Sequence, residues 1–142
     1  GVRTGARETA TVERVVDGDT IIAETGGHTQ RVRILGIDTP ETVHPDKPVE
    51  CFGPEASDFA HELLDDQTIT LRADPTQQDI DRYDRALRYV ILPDGTDYSV
   101  AAAAAGTAEL YTYQDNPVRE ANRIERAADQ AREQGIGMWG AC

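Results

Sequence analysis

Two tight-turn signals cut the first third of the chain into three short strands. Asp17-Gly18 ends a stretch of β-formers at 9–16, and Gly26-Gly27 separates 20–24 from 29–37. Asp-Gly and Gly-Gly supply the positive φ angles that tight hairpins need. In the third stretch Val32, Ile34 and then Gly36 alternate with Arg31, Arg33 and Leu35. That is the period of a half-buried strand. Three short strands joined in this way make a meander.

Downstream, 68–73 and 85–92 read as two further strands, and Pro93-Asp94-Gly95-Thr96 turns the chain after the second. Residues 38–52 contain three prolines and read as a long loop, a kind often functional in compact domains. Gly53-Pro54-Glu55 opens a helix that runs to about residue 64, with proline in its first turn. Its apolar face is Ala56, Phe59, Ala60, Leu63 and Leu64. Ser99 is read as the cap of a short alanine helix ending at Gly106, and 108–113 as extended. Asn116-Pro117 reads as the cap and first turn of a last helix over 117–134, stopped by Gly135. Trp139 is expected to pack back on the core. Residues 1–8 are polar and read as a loose tail, leaving 9–142 as a single domain. Five short strands with interspersed helices suggest an α+β chain, a small five-stranded β-barrel with helices packed outside it, and an OB-like barrel fits the strand count.

The length of 142 residues suits one domain with its own core. No apolar run approaches the roughly 18 residues a membrane span needs. With 26 acidic and 14 basic side chains the net charge is −12, whereas non-specific binders of polyanions are usually basic. A polyanion would have to be met by a local basic site; Arg31, Arg33, Lys47, Arg72, Arg82, Arg85 and Arg88 fall between residues 31 and 88. Solubility, or adaptation to salt, accounts for the larger share of the acidity. Cys51 and Cys142 permit one disulfide, worth up to about 4–5 kcal/mol in the chain-entropy model, and two free thiols are the alternative. A bridge would indicate an oxidising compartment. The sequence starts at Gly1 without a charged-then-apolar leader, so a signal has been removed or never existed.

Short polar motifs carry the chemistry. They are Asp17-Gly18-Asp19-Thr20, then Arg33, then Asp38-Thr39-Pro40-Glu41, then Arg82-Tyr83-Asp84-Arg85. Carboxylates collect a hard cation, and arginine forks collect phosphate oxygens. Together they suit phosphoryl-ester chemistry. Asp17-Gly18-Asp19 alone would be only a hairpin turn. Arg31, Arg72 and Arg88 read as surface ion pairs. His61-Glu62 lacks the second histidine of a zinc helix, Ser57 and His61 support no nucleophilic triad, and no glycine-rich phosphate loop is present.

The ordered strings 16–20, 33–41, Gly53-Pro54-Glu55-Ala56 and 81–85, with Tyr111-Thr112-Tyr113 and Trp139, resemble the staphylococcal nuclease (thermonuclease) family over residues 9–139. The resemblance implies an OB-fold barrel with three helices. It also implies a Ca²⁺-dependent endo- and exonuclease acting on DNA and RNA, preferably single-stranded, and leaving 3′-phosphate ends. By resemblance, Asp19, Asp38 and the Thr39 carbonyl hold the metal. Glu41 activates or orders the attacking water, and Arg33 and Arg85 grip the scissile phosphate. Lys47, Arg82, Tyr83, Tyr111 and Tyr113 hold substrate. A monomer, secreted or in the cell envelope, is the matching expectation. Two departures stand out. Asp84 replaces a usual glycine before Arg85, where it can pair with that arginine or point to solvent. The acidic balance predicts weaker substrate affinity, steeper divalent-ion dependence and tolerance of salt. The rival reading is a non-catalytic nuclease-like domain that binds nucleic acid or protein.

Overall fold

The computed structural model describes residues 6–42 and 50–142. In chain order the elements are β1 (Arg7–Asp17), β2 (Thr20–Thr25), β3 (His28–Ile34), β4 (Ile37–Asp38), α1 (Gly53–Leu64), β5 (Thr68–Arg72), β6 (Ala86–Ile91), α2 (Tyr98–Ala104), β7 (Glu109–Leu110), α3 (Ala121–Glu133) and α4 (Met138–Ala141). Five strands close a barrel in the order β1-β2-β3-β6-β5, and β4 pairs with β7 beside it. The expected OB-type barrel with three main helices is therefore present. Every pair in the barrel is antiparallel except β3 with β6, which is parallel, with Arg33 opposite Leu87. Leaving no open edge, the barrel pairs its whole rim.

A bulge in β1 sets which side chains reach the barrel end. Ala10 and Val12 point inward, and the register then shifts between Val12 and Arg14. One extra residue inverts the alternation. Val15 and Asp17 are consequently the buried positions that follow. Ile21, Val32, Ile34, Ile69, Leu71 and Val90 complete the interior, all at most 2% exposed.

The third strand stops sooner than 29–37 predicts. Gly36 takes φ 85°, a conformation glycine adopts without strain. A Cβ there would also lie 2.5 Å from Cδ1 of Ile124 on α3. The chain turns at this point into β4, which carries Asp38.

Two helix caps differ from expectation. Asp97, not Ser99, caps α2, its side chain accepting from the Ser99 amide at 2.9 Å. Ser99 lies inside the first turn, and its hydroxyl donates to the Leu35 carbonyl at 2.7 Å. The last helix begins at Ala121 rather than at 117. Asn116 spends its side-chain amide on the Thr76 carbonyl at 2.8 Å, and Val118 is buried in the core, so a tertiary anchor replaces the cap. Two further differences lie at the termini. Arg7 and Glu8, read as tail, pair with Arg72 and Leu71 of β5. The short α4 was not anticipated, and Trp139 within it is half-buried with Arg132 4.5 Å from its ring centre.

Asp74 ties the barrel to the start of α3. Its carboxylate accepts from Tyr89 Oη at 2.5 Å, the Arg119 amide at 2.8 Å, and the Thr76 amide and hydroxyl at 2.9 and 2.7 Å. Burial pushes this carboxyl up, but the hydrogen bonds outweigh it and hold the group below the ordinary value. A carboxyl lowered in the folded state stabilises above its unfolded pKa and loses that contribution as pH falls through the folded one. Asp74→Asn is expected to cost about 1.5–3 kcal/mol at pH 7. The cost should shrink in acid below the unfolded aspartate value. Urea unfolding of both proteins across that range checks it.

Candidate active site

The β1–β2 hairpin presents the first carboxylates. Asp17 pairs with Thr20 across the Gly18-Asp19 turn, and the Asp19 amide donates to Asp17 Oδ1 at 3.1 Å. Asp19 then reaches across to the next segment. Its Oδ2 accepts from the Thr39 amide at 3.1 Å, and its Oδ1 accepts from the Thr20 hydroxyl at 3.0 Å. Gly18 is needed for this approach, because a Cβ would sit 2.6 Å from Thr39 Oγ1. Tyr98 fixes the turn from beneath by donating to the Gly18 carbonyl at 2.8 Å.

Arg33 joins the two acidic segments. Its Nη2 lies 3.5 Å from Asp19 Oδ2 and 3.9 Å from Asp38 Oδ1, while Nη1 donates to the Ile34 carbonyl at 2.8 Å. One nitrogen within 4 Å of both carboxylates means that both face a common point. The cluster resists its own charge. Asp17 is raised to about 7, by burial first and then by the Asp19 carboxylate. Burial and then Asp19 also raise Asp38, with Arg33 partly opposing. A cation among these groups would offset both penalties.

Among the described residues no group of three or more His, Cys, Asp or Glu side chains forms a metal cage. The donors present are oxygens: two carboxylates and the neighbouring Thr39, whose buried hydroxyl has no hydrogen-bond partner among the described residues. All-oxygen donors with few protein charges fit a hard divalent cation that keeps water in its shell, and do not fit zinc.

Glu41 lies just beyond, half-buried after Pro40. Its amide donates to Glu50 Oε1 at 2.9 Å, and its carbonyl accepts from the Glu50 amide at 3.0 Å. Cys51, next to Glu50, is bonded to Cys142. The bridge that the sequence left open is therefore formed.

The parallel β3–β6 pair places the second arginine beside the first. A cleft of about 480 Å³ is lined by Arg33, Arg82, Tyr83, Arg85, Tyr111 and Tyr113 among others. Asp81 organises its wall. It accepts from the amides of Tyr83 and Arg85, both at 2.9 Å, and from Arg85 Nε at 2.8 Å. Burial raises the Asp81 carboxyl, but the bonds from Arg85 and Tyr83 prevail and hold it low. Because Asp81 takes Nε, both terminal nitrogens of Arg85 remain for another anion. Asp84 does not take that role: it is exposed, at φ 63°, a geometry that explains why glycine suits the position. Tyr83 is 60% exposed, with Arg82 and Arg85 at 4.9 and 5.2 Å from its ring centre. Arg33 lies 5.4 Å from the Tyr111 ring centre.

Of the residues singled out from sequence, Asp19, Arg33, Asp38, Thr39 and Glu41 gather at the hairpin end, and Arg33 links them to the cleft. Lys47 and His44 lie outside the described residues. Arg72 and Arg88 are engaged elsewhere, with Glu120 at 3.6 Å and Asp79 at 2.6 Å. Sequence reasoning missed Asp81, Glu50 and Tyr98. Asp81 alone carried a signal, four residues before Arg85 at the head of a turn.

An OB-type barrel with carboxylates at one hairpin and an arginine-tyrosine cleft beside them describes a class of phosphate-handling domains. The family model described as "Staphylococcal nuclease homologue" matches residues 31–141. A thermonuclease of Staphylococcus hyicus is 40% identical over 139 residues, which cover 98% of this chain and 80% of that protein. A thermonuclease of Staphylococcus intermedius is 39% identical over 93% of this chain and 76% of its own length. An SPbeta prophage-derived endonuclease of Bacillus subtilis is 32% identical over 91% of this chain and 43% of its own length. The chain belongs to the staphylococcal nuclease family.

Proposed function

We propose that this domain is a Ca²⁺-dependent nuclease that hydrolyses DNA and RNA, preferably single-stranded, and leaves 3′-phosphate ends. The observation that carries the reading is Arg33, which reaches the Asp19–Asp38 pair and lines the same cleft as Arg85. A phosphodiester there meets two guanidinium forks, and Tyr83, Tyr111 and Tyr113 offer ring faces to bases and sugars.

Glu41 takes the proton of a water that attacks phosphorus in line. The new P–O bond forms as the bond to the 5′ oxygen breaks. That oxygen leaves with a proton drawn from solvent, and the phosphate stays on the 3′ side. Arg33 and Arg85 stabilise the added charge of the five-coordinate transition state. Arg33 serves the phosphate by shifting from its carboxylate partners Asp19 and Asp38 towards the cleft it shares with Arg85. Asp19, Asp38 and the Thr39 carbonyl would hold Ca²⁺, which supplies Lewis-acid stabilisation of a phosphate oxygen. The disulfide supports a secreted or cell-envelope location. A monomer is proposed with it.

The test is digestion of heat-denatured DNA and of RNA, with calcium and with a chelator, followed by end-group analysis. Cleavage is expected only with calcium and with 3′-phosphate products. No cleavage of either polymer across calcium and salt concentrations would sink the nuclease reading and favour a binding-only domain.

A further inference from the structure

The chain around Glu41 is closed by one covalent path. Glu41 and Glu50 exchange two hydrogen bonds, amide to side chain and amide to carbonyl. Glu50 is bonded directly to Cys51, and Cys51 to Cys142 through sulfur. Cys142 ends α4, its amide donating to the Met138 carbonyl at 3.0 Å, and the Met138 amide donates to the Gly106 carbonyl at 2.9 Å. That last contact is tight: a Cβ on Gly137 would lie 2.5 Å from the Gly106 oxygen, and one on Gly106 would lie 2.2 Å from the Ile136 oxygen. Cys142 is therefore tied to the residues that follow α2, and the disulfide carries that anchor to Cys51 and Glu50. Both cysteines are exposed, so a reductant can reach the bond.

We propose that the Cys51–Cys142 disulfide is a redox-sensitive positioning device for Glu41, acting through Glu50. This rests on the reading of Glu41 as the group that receives the water's proton. The bridge joins positions 91 residues apart, and its loss leaves Glu50 tied to the fold by the start of α1 alone, where the Gly53 amide donates to the Glu50 carbonyl at 2.9 Å. An external dithiol supplies the two electrons: its thiols close into a cyclic disulfide, and Cys51 and Cys142 each gain a hydrogen. Losing that restraint loosens Glu50 against the Glu41 backbone, and with it the position of the carboxylate relative to phosphorus. Small misplacement of a reacting group is costly, about 10²-fold for 1 Å.

The experiment compares calcium-saturated steady-state cleavage by the oxidised protein, the protein reduced with dithiothreitol, and Cys51→Ser/Cys142→Ser, all at a temperature where circular dichroism reports a folded chain. The expected result is a kcat lower by about tenfold or more after reduction or in the double variant, with KM changed less than about twofold and the double variant indifferent to dithiothreitol. Glu50→Ala, which keeps the bridge, should show the same loss should the double variant fail to fold, and Glu50→Gln, which keeps the acceptor oxygen, should restore most of it. In a Glu41→Gln background reduction should change the residual rate less than about twofold, since a glutamine there cannot take the water's proton. Unchanged kcat in the folded, reduced protein overturns the device. Full activity in oxidised Glu41→Gln overturns instead the role given to Glu41.

Discussion

Glu41→Gln is expected to lower kcat by about 10² to 10⁴ while leaving KM for single-stranded DNA nearly unchanged. Glutamine matches the glutamate in shape but cannot accept the water's proton at neutral pH. The substitution also leaves the backbone contacts with Glu50 in place. The Glu41 amide and carbonyl are both engaged by Glu50, and neither bond uses the Glu41 side chain. Both backbone bonds survive the substitution, and thermal unfolding checks that the fold is kept. Steady-state cleavage at saturating calcium settles the point. A fall of less than about tenfold would remove Glu41 from the proton transfer and leave it, at most, ordering water.

Arg85→Lys should reduce kcat by about 10² to 10³ despite keeping the positive charge. Arg85 divides its donors: Nε is held by Asp81 at 2.8 Å, and the terminal nitrogens remain for another anion. Lysine has one nitrogen for both tasks. It must either leave Asp81 or give up the paired donation to phosphate oxygens that only a planar fork provides. Asp81→Asn separates the two requirements, because it keeps the fork and weakens only its mooring. Its loss should fall well short of that of Arg85→Lys. Equal losses in the two variants would show that Asp81 matters in its own right, and an active Arg85→Lys would show that charge alone suffices.

What could be read from sequence was whatever has a local signature. The β1–β2–β3 meander follows from Asp17-Gly18 and Gly26-Gly27, and α1 from its apolar period and its proline. Long-range choices left no such trace. The parallel pairing of β3 with β6 joins segments separated by a helix and two strands, and no residue pattern in either announces its partner. Asn116-Pro117 has the chemistry of a helix start, yet the Thr76 carbonyl competes for the same amide group and wins. The candidate site divides in the same way. Asp19, Arg33, Asp38, Glu41 and Arg85 could be named from ordered motifs. Glu50 and Asp81, which hold two of them in place, look in sequence like any surface acid of a chain with 26 acidic residues.

The parallel β3–β6 contact has a consequence in time as well as space. Arg33 leaves the first meander, whereas Arg85 arrives only after the long loop, α1 and β5 have been placed. Contacts between distant segments form late, because the intervening chain must first be ordered. A partly folded molecule can own the carboxylate hairpin and Arg33 and still lack a phosphate grip. On the proposed function, hydrolytic power arrives together with barrel closure, so a newly made chain is harmless to nucleic acid until its fold is complete.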